Sequence, residues 1–269
     1  MTHPFTYIDP NARIAPNVKI DPFTVIHGDV QIGEGTWVGS NVTIMDGTRI
    51  GKNCRIFPGA VLGAVPQDLK FSGEKTTAEV GDNTTIREFV TINRGTEDRG
   101  KTRVGNNCLI MAYSHIAHDC IIGNNCIMSN NTQMAGHVIM GDFAIIGGVS
   151  AVHQFVNIGQ HSYIGGGSLV SKDVPPYIKA VRNPLSYGGV NSVGLKRRGF
   201  TLLQINHILD IYRTIYNKGM NTSQALEFIE EELPATDERD EIVTFVRESG
   251  RGIIKRFTKG SLDEDYPLS

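Results

Sequence analysis

Aliphatic side chains recur at every sixth residue: Ile8, Ile14, Ile20, Ile26, Ile32, Val38, Ile44, Ile50, Ile56 and Leu62, then Val80, Ile86 and Ile92. The same phase resumes at Val104 and runs through Ile110, Ile116, Ile122, Met128, Met134, Met140, Ile146, Val152, Ile158 and Ile164 to Val170. An amphipathic helix, with 3.6 residues per turn, cannot sustain that period. A second phase lies four residues after the first and holds small or β-branched side chains such as Thr36, Val42, Thr48, Ala60, Thr84 and Ser114. Cys54, Cys108, Cys120 and Cys126 all occupy it, which makes them inward corner residues rather than nucleophiles or metal ligands. Glycine follows the aliphatic residue directly at Gly33, Gly51, Gly81, Gly105 and Gly123, and asparagine comes three after it at Asn53, Asn83, Asn107 and Asn125. Both residue types tolerate the left-handed backbone of a sharp corner. Each six residues therefore predict one short strand and one corner. Three sides close a triangular coil of about 18 residues, coils stack at roughly 4.8 Å, and the aliphatic columns become the core.

The rhythm breaks near residues 63–79 and 93–103, and each break predicts a loop leaving the prism. Loops that interrupt so regular a stack are expected to carry function. The repeat ends at Asp173-Val174-Pro175-Pro176. Beyond Pro184 the spacing becomes helical: a helix over 199–217, one capped by Thr222 or Ser223 that Pro234 stops, and one from Asp237 to Ser249. The expected organisation is a hexapeptide-repeat β-helix domain over 1–190 and an α-helical domain over 191–269.

Composition adds exclusions. With 40% hydrophobic and 20% charged residues, the 269-residue chain reads as soluble and globular. A formal charge of −2 offers nothing to nucleic acid. No apolar run approaches the roughly 20 residues of a membrane span. The stretch from Met1 to Pro10 has neither the basic start nor the apolar run of an export signal, so a cytoplasmic location with reduced thiols is expected.

Three histidines, His118, His137 and His153, fall in neither inward phase. Their spacings of 19 and 16 residues, set against a coil of 18, put all three on one edge within about two coils, near 10 Å. Asp119 and Gln154 share that edge. Histidine is the usual general base near neutral pH, and an adjacent carboxylate orients such a ring. Gly136 stacks over His118, where a backbone N–H can approach a substrate oxygen. Zinc is the rival use of three imidazoles, but no cysteine or second carboxylate is expected to join them. The basic run Lys196-Arg197-Arg198 suits either a solvated helix start or a pyrophosphate.

The segments Gln67-Asp68-Leu69-Lys70, His115-Ile116-Ala117-His118-Asp119-Cys120, Ala135-Gly136-His137, Ala151-Val152-His153-Gln154-Phe155 and Gly194-Leu195-Lys196-Arg197-Arg198-Gly199-Phe200 closely resemble the UDP-N-acetylglucosamine O-acyltransferase family of lipid A biosynthesis. The resemblance covers nearly the whole chain. It implies a left-handed parallel β-helix assembled as a homotrimer with sites in the clefts between subunits, and it implies no cofactor or metal. It implies an (R)-3-hydroxyacyl donor on acyl carrier protein and the 3-hydroxyl of UDP-N-acetylglucosamine as acceptor. By the same resemblance His118 is the general base, Asp119 orients it, and the Gly136 N–H steadies the oxyanion. Gln67, Asp68, Lys70, His115, His137, His153 and Gln154 position the substrates, and Asn191, Arg197 and Arg198 hold the nucleotide. Gly148 lines the acyl path and Gly166 gauges chain length, with Tyr163 near enough to shorten it. The chain departs from the family at Val193, where a glutamate is common, and over Val181–Leu185.

A carbonic anhydrase-like metalloenzyme, an acetyl-CoA-dependent acetyltransferase and a non-catalytic β-helix are the competing readings. The two loops and the histidine edge weigh against the last. A sister N-acyltransferase carries an extra N-terminal domain, for which a repeat starting at Ile8 leaves no room.

Overall fold

Two-residue strands cannot hold themselves, so each takes its backbone partners from the neighbouring coils. In the computed structural model, which describes residues 5–257, Tyr7 pairs with Val25, Val25 with Thr43 and Thr43 with Val61, all in parallel. The ends of the two expected domains, residues 1–4 and 258–269, lie outside the described residues. Three sheets of nine, eight and ten strands form the sides of the prism. The first sheet starts at Tyr7–Ile8, the second at Arg13–Ile14 and the third at Lys19–Ile20. Ile26, Ile44, Leu62, Ile92, Ile116, Met134 and Val152 make one interior column of the first sheet, each almost fully removed from water. Burial of each such side chain contributes on the order of 1.5–3 kcal/mol.

The corner cysteines behave as predicted. All four are buried, and burial pushes the Cys120 thiol up to about 12. The glycine phase needs a correction. Asn53, Asn83, Asn107 and Asn125 are left-handed, but Gly33, Gly51, Gly81, Gly105 and Gly123 are not. Those glycines are required by close approach: a Cβ on Gly33 would sit 2.7 Å from the carbonyl of Gly51 in the next coil.

Both loops leave the same edge. The chain departs from the first sheet after Val61–Ala64 and joins the second at Thr77–Val80. It does so again between Thr91–Asn93 and Lys101–Val104. The excursions, residues 65–76 and 94–100, fall within the two expected breaks.

The repeat does not stop at Pro176. Ile178–Val181 adds another parallel strand to the third sheet and then pairs antiparallel with Ser186–Val190, which covers the sheet's edge. Among the described residues four helices follow: α1 (Ser192–Arg197), α2 (Leu202–Asn217), α3 (Thr222–Glu232) and α4 (Asp237–Glu248). The cap of α3 is Asn221, not Thr222 or Ser223, because Asn221 and Gln224 close a reciprocal capping box. Helix α1 was not foreseen; six residues are too few to show a period. Ile205, Ile208, Tyr212, Ile229, Ile242 and Val243 form the helical core, and the chain returns to the prism where Ile253 bridges Asp173.

Candidate active site

The edge between the first and second sheets collects the predicted chemistry. His118 and Asp119 follow the strand His115–Ile116, Gly136 and His137 follow Gln133–Met134, and His153 and Gln154 follow Ala151–Val152. Asp119, His137 and Phe155 stack at one corner position, all left-handed (φ 60–63°). Asp and His tolerate this conformation better than most residues, but Phe does not, so at Phe155 it costs roughly 1–2 kcal/mol and packing must hold it.

Asp119 has no solvent exposure. Its Oδ2 lies 2.8 Å from His118 Nδ1. The carboxylate also accepts from the Thr96 N–H at 3.0 and 3.2 Å, the Thr96 hydroxyl at 2.7 Å and the Arg99 N–H at 3.3 Å. Burial alone would raise the Asp119 pKa, but the bonds from Thr96 and His118 outweigh it and hold the carboxyl below its usual range. An ionised Asp119 places the His118 proton on Nδ1 and leaves Nε2 with its lone pair outward. Nε2 faces Gly136: a Cβ there would come within 2.7 Å of it. The Gly136 N–H has no hydrogen-bond partner among the described residues.

His137 completes the cluster. Its ring lies 5.1 Å from that of His118, edge to face, and stacks on Phe155 at 4.5 Å. Its Nδ1 is 3.2 Å from Asp98 Oδ2, outside hydrogen-bond geometry, and its Nε2 is 3.7 Å from Asp119. Burial lowers its pKa, with Asp119 opposing. His115, one strand upstream, is lowered by burial and by His118, and its Nδ1 meets the Thr91 hydroxyl at 2.7 Å. His153 shares the edge but is exposed, its ring Nδ1 3.0 Å from the Gln154 carbonyl oxygen. Asp68 and Lys70 line a cleft of about 360 Å³ with Phe71, Thr96, Asp98 and His137; Gln67 is exposed on the same loop.

His118, Asp119 and His137 each offer a ligand atom within 4.8 Å of the others. Asp98 adds the second carboxylate that was not expected. The Asp119 oxygens are nonetheless engaged by Thr96, Arg99 and His118, which fixes the orientation of the His118 ring.

The other predicted residues lie elsewhere. Gly148 and Gly166 stack on the edge between the third and first sheets. Arg198 stands at the edge between the second and third, its guanidinium over the Phe143 ring and bonded to the Phe143 carbonyl at 3.0 Å. Asn191 is buried there, capping α1 through Gly194 N–H and donating to the His161 carbonyl at 2.9 Å. Arg197 is exposed. One chain therefore brings the histidines, Asp68 and Lys70 to one edge and leaves Gly148, Gly166, Asn191 and Arg198 on the other two.

An acyl-[acyl-carrier-protein]–UDP-N-acetylglucosamine O-acyltransferase of Chlorobaculum parvum is 60% identical over 201 residues, 74% of this chain and 76% of that protein. The chain belongs to the UDP-N-acetylglucosamine O-acyltransferase family. The family's second domain matches residues 173–254, and the bacterial transferase hexapeptide matches 29–64 and 101–136. An Aquifex aeolicus relative of the same name is 57% identical over 197 residues, covering 73% and 76% of the two chains. The crystal structure of the UDP-N-acetylglucosamine acyltransferase from Bacteroides fragilis matches with a TM-score of 0.93 at 52% identity, over 95% of this chain and 100% of that one. The Acinetobacter baumannii structure matches at 0.91 and 42%, over 94% and 99%. In this O-acyltransferase family the prism is a left-handed parallel β-helix.

Sequence reasoning missed Thr96, Asp98, Arg99 and Phe155. Phe155 was within reach, being 18 residues after His137. Counting sides of the prism also puts both loops on the histidine edge.

Proposed function

We propose that this chain transfers an (R)-3-hydroxyacyl group from acyl carrier protein to the 3-hydroxyl of UDP-N-acetylglucosamine in the cytoplasm, the first step of lipid A synthesis. The names of its relatives supply carrier and acceptor, and the buried Asp119–His118 pair facing Gly136 carries the mechanism. His118 Nε2 takes the proton of the acceptor hydroxyl as its oxygen attacks the thioester carbonyl. The oxyanion of the tetrahedral intermediate is held by the Gly136 N–H. The C–S bond then breaks, and the carrier thiolate takes the proton back from His118. Asp119 stabilises the imidazolium between those steps.

Lys70, Asp68, Gln67, His115, His137, His153 and Gln154 orient the substrates. Gly148 and Gly166 leave the acyl path open toward a longer chain. Arg197 and Arg198 hold the pyrophosphate, while Asn191 fixes the helix that presents them. Because these sets occupy three edges, we assign the working enzyme as a homotrimer whose clefts unite them. Exposed aromatic pairs at Phe5–Phe23 and Phe89–Tyr113 offer apolar surface of the kind such contacts cover.

The test is incubation of the purified protein with UDP-N-acetylglucosamine and carrier thioesters of graded length, with products weighed by mass spectrometry. One hydroxyacyl group added to the sugar nucleotide is expected; no transfer, or transfer only from acetyl-CoA, would refute the assignment. Arg197→Ala should raise KM for the UDP-sugar about tenfold with kcat little changed, the loss of one charged phosphate contact. An unchanged KM would return the basic run to a solvated helix start.

A further inference from the structure

Asp119 sits in a left-handed corner, and the side chain next to it must be aimed by something other than the strand ladder. The aim comes from the 94–100 loop. Thr96 is itself buried and gives the carboxylate two donors, its N–H and its hydroxyl, the latter at 2.7 Å from the oxygen that meets His118 Nδ1. The Thr96 hydroxyl oxygen in turn accepts from the Asp98 N–H at 3.3 Å, which fixes the direction of its proton. Arg99 clamps the Asp119 backbone, donating from its guanidinium to the carbonyl at 2.9 Å. The loop is moored to the prism by Gly95 N–H on the Thr77 carbonyl and by Thr77 N–H on the Gly100 carbonyl, and Gly100 N–H closes it internally on the Thr96 carbonyl.

We propose that Thr96 is a positioning residue of acyl transfer: its hydroxyl turns the Asp119 carboxylate toward His118 Nδ1. The proposal rests on His118 being the base. Removing the hydroxyl leaves a buried carboxylate one donor short, so its protonation moves to higher pH and the pair fails earlier on the acid side.

Thr96→Val, which keeps shape and N–H, is expected to lower kcat about tenfold, the worth of one charge-assisted hydrogen bond, with both KM values within about twofold of wild type. The acid limb of its kcat profile should shift to higher pH. Thr96→Ser should restore rate and profile together. In a His118→Ala background Thr96→Val should cost nothing further. An unshifted acid limb, failed rescue by serine, or an equal loss with and without His118 would each overturn the proposal. If the valine variant does not fold, Thr96→Ser and Thr96→Ala carry the same comparison. Full activity in His118→Ala alone would instead defeat the reading of the base, whatever Thr96 does.

Discussion

His118→Ala should lower kcat by about 10² or more while leaving melting temperature and subunit assembly unchanged. The ring lies on the outer edge, bonded to Asp119 and packed against Gly136, and it carries none of the interior columns. On the proposed mechanism its loss leaves the Gly136 N–H and the other substrate contacts in place, so the residual rate would report what they accomplish without His118. Steady-state kinetics with the carrier thioester held at saturation make the measurement. A wild-type rate would remove His118 from the mechanism, and a collapsed melting temperature would make it a structural residue.

Gly136→Ala tests the same site from the opposite side. Gly136 is not left-handed, so alanine is tolerated by the backbone, and the effect is steric. The new methyl would stand 2.7 Å from both Cε1 and Nε2 of His118. The ring cannot yield freely, because Asp119 holds Nδ1 and Thr96 and Arg99 hold Asp119. If His118 is the base proposed above, displacing its ring by a fraction of an ångström should cost about 10- to 100-fold in kcat, with stability altered by less than about 1 kcal/mol. Undiminished turnover would show that the ring does not need its present position.

The period of six made the prism legible because one repeat dictates one strand and one corner, and the pairing of Tyr7 with Val25 repeats wherever the phase is unbroken. It also put His118 and His137 on one edge, where their rings now touch. What the phase could not report is what happens where it stops. The partners of Asp119 come from Thr96 and Arg99, more than a coil away in a loop without periodicity, and their contacts depend on how that loop folds back. The antiparallel strand Ser186–Val190 was hidden for a similar reason, since it pairs with a strand already in the sheet and follows no hexad. Gly33, Gly51, Gly81, Gly105 and Gly123 were attributed to backbone freedom, when the closeness of the next coil is what excludes a Cβ there; Gly63, in the same phase, is left-handed as expected. Nor could one chain's spacing relate Gly166 and Arg198, on the other two edges, to His118; the proposed trimer supplies that relation.

The most direct test of the account is therefore complementation between subunits. Chains carrying His118→Ala and chains carrying both Arg197→Ala and Arg198→Ala, each with its own tag, are co-expressed, and mixed trimers are purified through both tags. Their transfer rate is measured with UDP-N-acetylglucosamine held below KM. In a cyclic trimer whose clefts draw the histidine from one subunit and the arginines from the next, about a third of the sites in every mixed trimer regain all parts. Activity near a third of wild type is predicted; activity no greater than that of either parent would contradict a site assembled from different subunits.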